Sequence, residues 1–241
     1  MAGFFSFLLT LRQIINKFEL LMKKTFVLAA LSFLAIGMNA QNLIKNGTFD
    51  TPLNAETYES VPASADWFVM DKTSGATTIT PVKDDEKHGN AVQIENTTDN
   101  SWYKAFLAQR LEGAEKGVYT LSFEAKALTE GAQVRFFICD SKLKTFIMRD
   151  QFDLTDESSK NQSATAFSRV INKPGKWMKV TAKFDLAKTV DNFASVKSVE
   201  AKGNKITESA ISDEMLKDLI VVIELQKKDS KMMIDNVTLQ K

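Results

Sequence analysis

The chain has 241 residues, 44% hydrophobic and 25% charged, with a formal net charge of +1. That balance argues against long disorder, and no basic patch or Arg-rich run gives the footprint of a nucleic-acid binder. A lone cysteine, Cys139, excludes an internal disulfide, and roughly 200 residues in one domain bury about 70% of their unfolded surface without needing one.

From Met22 the sequence reads as a secretory signal peptide. Lys23 and Lys24 precede an apolar run, Phe26 to Ile36, and small residues lead to cleavage after Ala40. The run is too short to cross a bilayer comfortably and no second one follows, so no transmembrane helix is expected in the mature chain. Residues 1–21, with their apolar patch Phe4 to Leu11, read as a mis-called extension upstream of Met22; the alternative is an unusually long export signal. Residues 41–241 are then one domain, exported to the periplasm, the cell surface or beyond. Removing residues 1–40 takes Arg12, Lys17, Lys23 and Lys24 against the single acid Glu19, which turns +1 into a net −2.

The mature chain opens with Asn42 to Asp50, read as a short strand and an Asn-Gly turn. Strands follow at Asp66–Met70, Thr77–Val82 (β-branched, as edge strands often are) and Gly89–Thr97, then in Ser101–Leu111. The clearest is Gly117–Ala127, where Tyr119, Leu121, Phe123, Ala125 and Ala127 alternate with Thr120, Ser122, Glu124 and Lys126. Such alternation describes a strand with one face on a core and the other in water. Gln133–Asp140, Lys144–Phe152, Ala166–Ile171, Trp177–Leu186, Ile220–Gln226 and Met232–Leu239 continue the series. Lys173-Pro174-Gly175-Lys176 is a turn, and Met178, Val180, Ala182, Phe184 and Leu186 face inward. Roughly ten short strands with turn signals between them predict an all-β sandwich or jelly roll. Only Ala187–Leu219 breaks the rhythm: it is long and charged, with an N-capped helical turn at Ser212–Lys217.

Four segments resemble carbohydrate-binding modules of families four, nine and twenty-two. Asn42-Leu43-Ile44-Lys45-Asn46-Gly47-Thr48-Phe49-Asp50 is similar to their opening, and Gly117–Ala127 to their central strand. Trp177 with Lys179, Val180 and Phe184 resembles their late tryptophan strand, and Ile234-Asp235-Asn236-Val237-Thr238-Leu239 their closing one. The ordered set spans nearly all of the mature chain except 187–219. It implies a galactose-binding-like jelly-roll β-sandwich of two antiparallel sheets, with a short helix in the long late loop, and it implies sugar binding only in part.

The resemblance also implies a structural Ca²⁺ where the first and last strands meet. Thr48, Asp50, His88 and Asp235 are its candidate ligands, Thr48 and the Lys87–Gly89 segment through carbonyls. Asn236 stands where the family more often has a second aspartate, and a plain hydrogen-bonded corner is the alternative. Trp102 lies where the family puts a cleft tryptophan, with Tyr103 beside it, although Ala105 replaces the polar residue that often follows.

Alternation supplies the other candidates. If Val134, Phe136 and Ile138 face the core, Arg135 and Phe137 face out, as Glu224 and Gln226 do opposite Val221, Ile223 and Leu225. An exposed Phe among Arg, Glu and Gln suits stacking on a sugar and bonding to its hydroxyls; the alternative is an ordinary outer sheet face. Trp67 and Trp177 read as core or rim, and Cys139 as a small residue beside the core. The expectation is a non-catalytic glycan-binding protein, with a structural or adhesive module binding a protein through residues 187–219 as the alternative. An enzyme is not expected: there is one His, no nucleophile motif, and the carboxylate pairs Asp84-Asp85 and Asp156-Glu157 sit in polar loops.

Overall fold

In the computed structural model the organising strand is β6 (Val118–Ala127), and its five alternating apolar residues are all buried. The structure describes residues 41–51, 53, 57–58, 60–63, 66–71, 77–84, 87–97 and 105–241. The extension and signal segments, Trp102 and Tyr103 lie outside the described residues. Residues 42–241 form one compact unit.

β6 is hydrogen-bonded on one side to β10 (Trp177–Val190) and on the other to β13 (Ser230–Gln240), both antiparallel. β4 (Asn90–Asn96) and the edge strand β3 (Thr77–Lys83) complete this layer beyond β13. The facing layer runs β2 (Phe68–Asp71), β5 (Ala105–Arg110), β12 (Leu219–Leu225), β7 (Gln133–Asp140). Two-residue β1 (Thr57–Tyr58) adds to β2 in parallel, the exception in an otherwise antiparallel arrangement. The side chains between the layers make one core that includes Phe123, Phe136, Phe184, Leu121, Val221 and Ile234. The predicted all-β jelly-roll sandwich is what the chain forms, with thirteen strands and two short helices among the described residues.

β8 (Phe146–Arg149) turns the corner between the layers: Phe146 pairs with Cys139 of β7, while Ile147 pairs with Thr189 of β10. β9 (Phe167–Val170) pairs with the other half of β7, Gln133 to Phe136. β7 therefore carries two different strands along one edge, and the edge forks between them.

Two expectations need correction. Asn42 to Asp50 forms no strand. Asn46 is left-handed (φ 48°), its side chain bonds both the N–H and the carbonyl of Thr51, and its own carbonyl accepts from Phe49 N and Trp67 Nε1. These local partners fold the segment into a turn, a geometry Asn tolerates. It still docks on β13, where Leu43 N donates to the Leu239 carbonyl at 2.9 Å.

The second correction concerns 187–219. β10 runs four residues past Leu186, across a bulge, to Val190 and pairs there with β11 (Glu208–Ala210). Helix α1 (Val196–Glu200) is capped by Ser195, whose hydroxyl accepts from Ser198 N. Helix α2 (Asp213–Leu216) is capped by Ser212, as the sequence predicts. Phe193 and Val196 are buried, and Phe193 packs into a second core on the outer face of the β5–β12–β7 layer with Phe68, Phe106, Phe137, Phe146, Ile220 and Val222. Much of the interval is thus a folded cover with its apolar residues turned inward.

Candidate functional site

The outer face of β7 holds the residues that alternation singles out. Register puts Arg135 opposite Glu224 of β12 on one side and Ser168 of β9 on the other. Directly opposite residues on one face interact, and Arg135 Nε donates to Glu224 Oε1 in a buried ion pair. Gln226, two residues on, joins them: with its amide oxygen toward Arg135 it accepts from Nη1 at 2.9 Å and donates to Ser168 Oγ at 3.1 Å. That orientation sets the oxygen toward Arg135 and the nitrogen toward Ser168 Oγ, which is the basis for choosing it. Arg135, Glu224 and Gln226 are therefore brought together.

Phe137 is not available beside them. It was expected to be exposed, yet it is 0% exposed, with the Phe193 ring in edge contact at 4.8 Å and Phe146 at 5.9 Å. The outer face carries too many large apolar side chains to stand in water, so Phe193 covers it, and the hollow expected over Phe137 is filled. Phe193 also lies under the Arg135 guanidinium, 4.7 Å from its carbon. Exposure of Arg135 and Glu224 is corrected in the same way: both are buried, at 1% and 4%.

What is open lies one step away, at the fork of β7, β8 and β9. A cavity of about 580 Å³ is bounded by Arg135, Phe167, Ser168 and Phe193 on the sheet side, by Arg149 of β8, and by Gln162, Ser163, Ser195 and Ser198 from the covering loops. The volume lies within the range of small-molecule sites. Ser163 ties the covering together, donating from Oγ to the Phe193 carbonyl at 2.7 Å and pairing with Ser195. Arg149 lies over Phe167, its guanidinium carbon 4.0 Å from the ring centre. Its Nη1 donates to Gln162 Oε1 at 3.1 Å and to the Ser163 carbonyl at 3.0 Å, and its Nε is buried without a hydrogen bond. Burial lowers the Arg149 pKa from the ordinary guanidinium value; a guanidinium stays charged all the same.

The four candidate calcium ligands lie about the bulge in β13 that follows Asp235. Thr48 Oγ1 donates to Asp50 Oδ2 at 2.8 Å. Asp235 is buried, and its pKa rises to about 6 because burial disfavours the charge, with Glu124 and Asp50 adding to the rise and His88 opposing it. The His88 ring stacks on Trp177 at 4.1 Å and its Nε2 lies 3.1 Å from Glu124 Oε2. Burial would raise the Glu124 pKa, but hydrogen bonds from Asn236, Lys87 and His88 hold it below the usual value. For calcium the fit is partial. Asp50, Asp235 and Thr48 offer oxygen, whereas His88, its imidazole nitrogen engaged with Glu124, has only its backbone carbonyl to give a hard cation. Among the described residues no group of three or more His, Cys, Asp or Glu has a metal-holding arrangement.

Trp67 is core, packed at 5.5 Å on Phe49, and Trp177 is rim, bonded through Nε1 to Asp84. Cys139 is buried in the outer core, and burial together with Asp140, Asp218 and Glu224 pushes its thiol pKa well up, against a nucleophilic role. Arg149, Phe167 and Phe193 were missed from the sequence. The available signal was β12, whose Leu219-Ile220-Val221-Val222-Ile223 run does not alternate and so demands cover on both faces.

Two antiparallel layers joined through corner strand β8 make this a jelly-roll β-sandwich. The chain belongs to the family described as Domain of unknown function (DUF4627), whose model matches residues 42–239. A solved structure of a candidate sugar-binding protein from Bacteroides thetaiotaomicron is 34% identical, with a TM-score of 0.75, covering 83% of this chain and 100% of that one. A CBM4 structure is 17% identical with a TM-score of 0.44, covering 82% of this chain and 98% of that one. The CBM22-1 xylan-binding domain from Paenibacillus barcinonensis is 11% identical with a TM-score of 0.42, covering 83% and 94%. No curated protein matches the chain.

Proposed function

We propose that the protein is a non-catalytic glycan-binding protein and that the cavity at the fork of β7, β8 and β9 receives the saccharide. The observation that carries this reading is the cavity's lining, in which Phe167 and the largely buried Phe193 stand beside the Arg149 guanidinium, serine hydroxyls and the Gln162 amide. Saccharides need that combination of apolar surface for C–H groups and polar groups for hydroxyls. The relative from Bacteroides thetaiotaomicron, described as a candidate sugar-binding protein, supports the same class. Export through residues 22–40 to the bacterial periplasm or surface belongs to the reading. No described helix is long and apolar enough to cross a membrane. Trp102 and Tyr103 stay in the proposal as a second contact.

Calcium is proposed for the β13 bulge, held by the Asp50 and Asp235 carboxylates and by carbonyls of Thr48 and His88. The buried Asp235 carboxylate and the Thr48–Asp50 hydrogen-bonded pair supply the oxygen atoms that support it. A protein partner at 187–219 is the less favoured alternative, since Phe193, Val196 and Val199 are turned into the fold.

The test is a glycan array with the wild-type protein and Ser168→Trp, which places an indole in the cavity from an exposed position of β9. Binding by the wild type and its loss in the variant, at unchanged melting temperature, is the expected result. Binding that survives Ser168→Trp and is lost with Trp102→Ala would move the site away from the fork.

A further inference from the structure

The cations around the fork are not paired alike. Arg135 has Glu224 as its ion partner, so that pair is neutral. Lys160, on the loop that covers the cavity, is paired with Glu157 and Glu200. Arg149 differs: burial lowers its pKa and no carboxylate contributes to raise it. Among the described residues Arg149 makes no ion pair, and none of those lining the cavity is acidic. Its Nη1 is held by Gln162 and Ser163, and its Nε is buried against the protein, so Nη2 is the part of the fork left to the cavity.

A guanidinium half withdrawn from water without a counter-charge is unfavourable by itself. It lies against the Phe167 and Phe152 rings and is bonded to Gln162 and Ser163, so the group is held in place before any ligand arrives. Such a cation favours an oxyanion, because charge-assisted N–H···O⁻ bonds are roughly twice as strong as neutral ones and Arg suits the planar carboxylate and the sulfate alike.

We infer that the saccharide received by this cavity is anionic, a uronic acid or a sulfate ester whose oxyanion is bound by Nη2 of Arg149. The inference rests on the fork being the glycan site, and names the class of sugar that it takes. Ser195, Ser198 and Ser168 then face the uncharged hydroxyls, and Phe193 presents the apolar edge.

The test uses two matched pairs: trigalacturonate with its methyl ester, and a galactose 6-sulfate oligosaccharide with its unsulfated counterpart. Each is titrated by calorimetry into the wild type, Arg149→Gln, Arg149→Lys and Ser168→Trp, with melting curves to confirm folding. In at least one pair the acidic member is expected to bind about tenfold or more tightly than the neutral one, with the preference weakening as salt rises. Arg149→Gln should remove the difference between the acid and its neutral partner by weakening the acid the more, and Arg149→Lys should restore part of that difference. A merely structural Arg149 would lower both members equally. Preference for the uronate alone assigns a carboxylate site, for the sulfate ester alone a sulfate site. Equal affinity within both pairs, abolished by Ser168→Trp, overturns the anionic assignment and leaves the glycan site standing. Binding untouched by Ser168→Trp, or no binding by any of the four sugars, overturns both.

Discussion

Phe193 decides whether the outer face of the β5–β12–β7 layer is covered or open, so its truncation is the sharpest perturbation of the fold. The ring is 5% exposed and touches Phe137 at 4.8 Å, Phe146 at 5.4 Å and the Arg135 guanidinium at 4.7 Å. Removing a buried phenyl ring to alanine costs about 3–5 kcal/mol, a range that includes its aromatic contacts. The loop can close over the gap in part, which favours the lower half of that range. In a domain of about 200 residues each kcal/mol moves the melting temperature by about 2–4 °C, so Phe193→Ala should melt roughly 6–16 °C below the wild type. Phe193→Leu keeps most of the volume and should lose less than about 1.5 kcal/mol. Urea unfolding followed by tryptophan fluorescence gives both values, with Val118→Ala, at an exposed site, as the control. If Phe193→Ala stayed within about 0.5 kcal/mol of the wild type, the range of ordinary surface substitutions, the segment would not cover the sheet and Phe137 would be open after all.

Asp235 gives a pH signature. Its pKa lies near 6 in the fold against an ordinary 3.8, so its full contribution to stability is present below 3.8 and is lost as pH rises through 6. With chelator present, Asp235→Asn should be nearly neutral at acid pH and stabilising above pH 6 by at most about 3 kcal/mol; denaturant midpoints across that range check the sign, and an equal effect at both ends would refute it. Gly47→Ala should destabilise by about 1–3 kcal/mol or more, measured the same way, because the added methyl would lie 1.9 Å from the Val237 carbonyl oxygen on the backbone. If calcium occupies the β13 bulge, chelator lowers the melting temperature and added calcium restores it, by about 2.7 kcal/mol at a hundredfold excess over Kd. A melt indifferent to both removes the metal.

The strand pattern was legible because one-face burial writes itself into a period of two: β6 and β10 show it, and the inward residues predicted for both are the ones that pack together. The same rule misled at β7. Val134, Phe136 and Ile138 do face the core, but the inference that Arg135 and Phe137 must then face water assumes that the other side of the sheet has nothing on it. Alternation reports which residues share a face and is silent about what covers that face. The unbroken apolar run of β12 held the missing information, since a strand apolar on both sides needs two partners, and Phe193 in the charged 187–219 interval is the partner that it finds. Arg149 was out of reach for a different reason. Nothing local in Ile147-Met148-Arg149 marks that arginine, whose position at the fork follows from β8 and β9 sharing one edge of β7, a relation between segments that only topology supplies. Arg135, Glu224 and Gln226 come together because adjacent register joins them on one face. Those that line the open cavity come from segments up to 63 residues apart in sequence, from Arg135 to Ser198, and their chemistry becomes a site only through the cover that closed the place first expected.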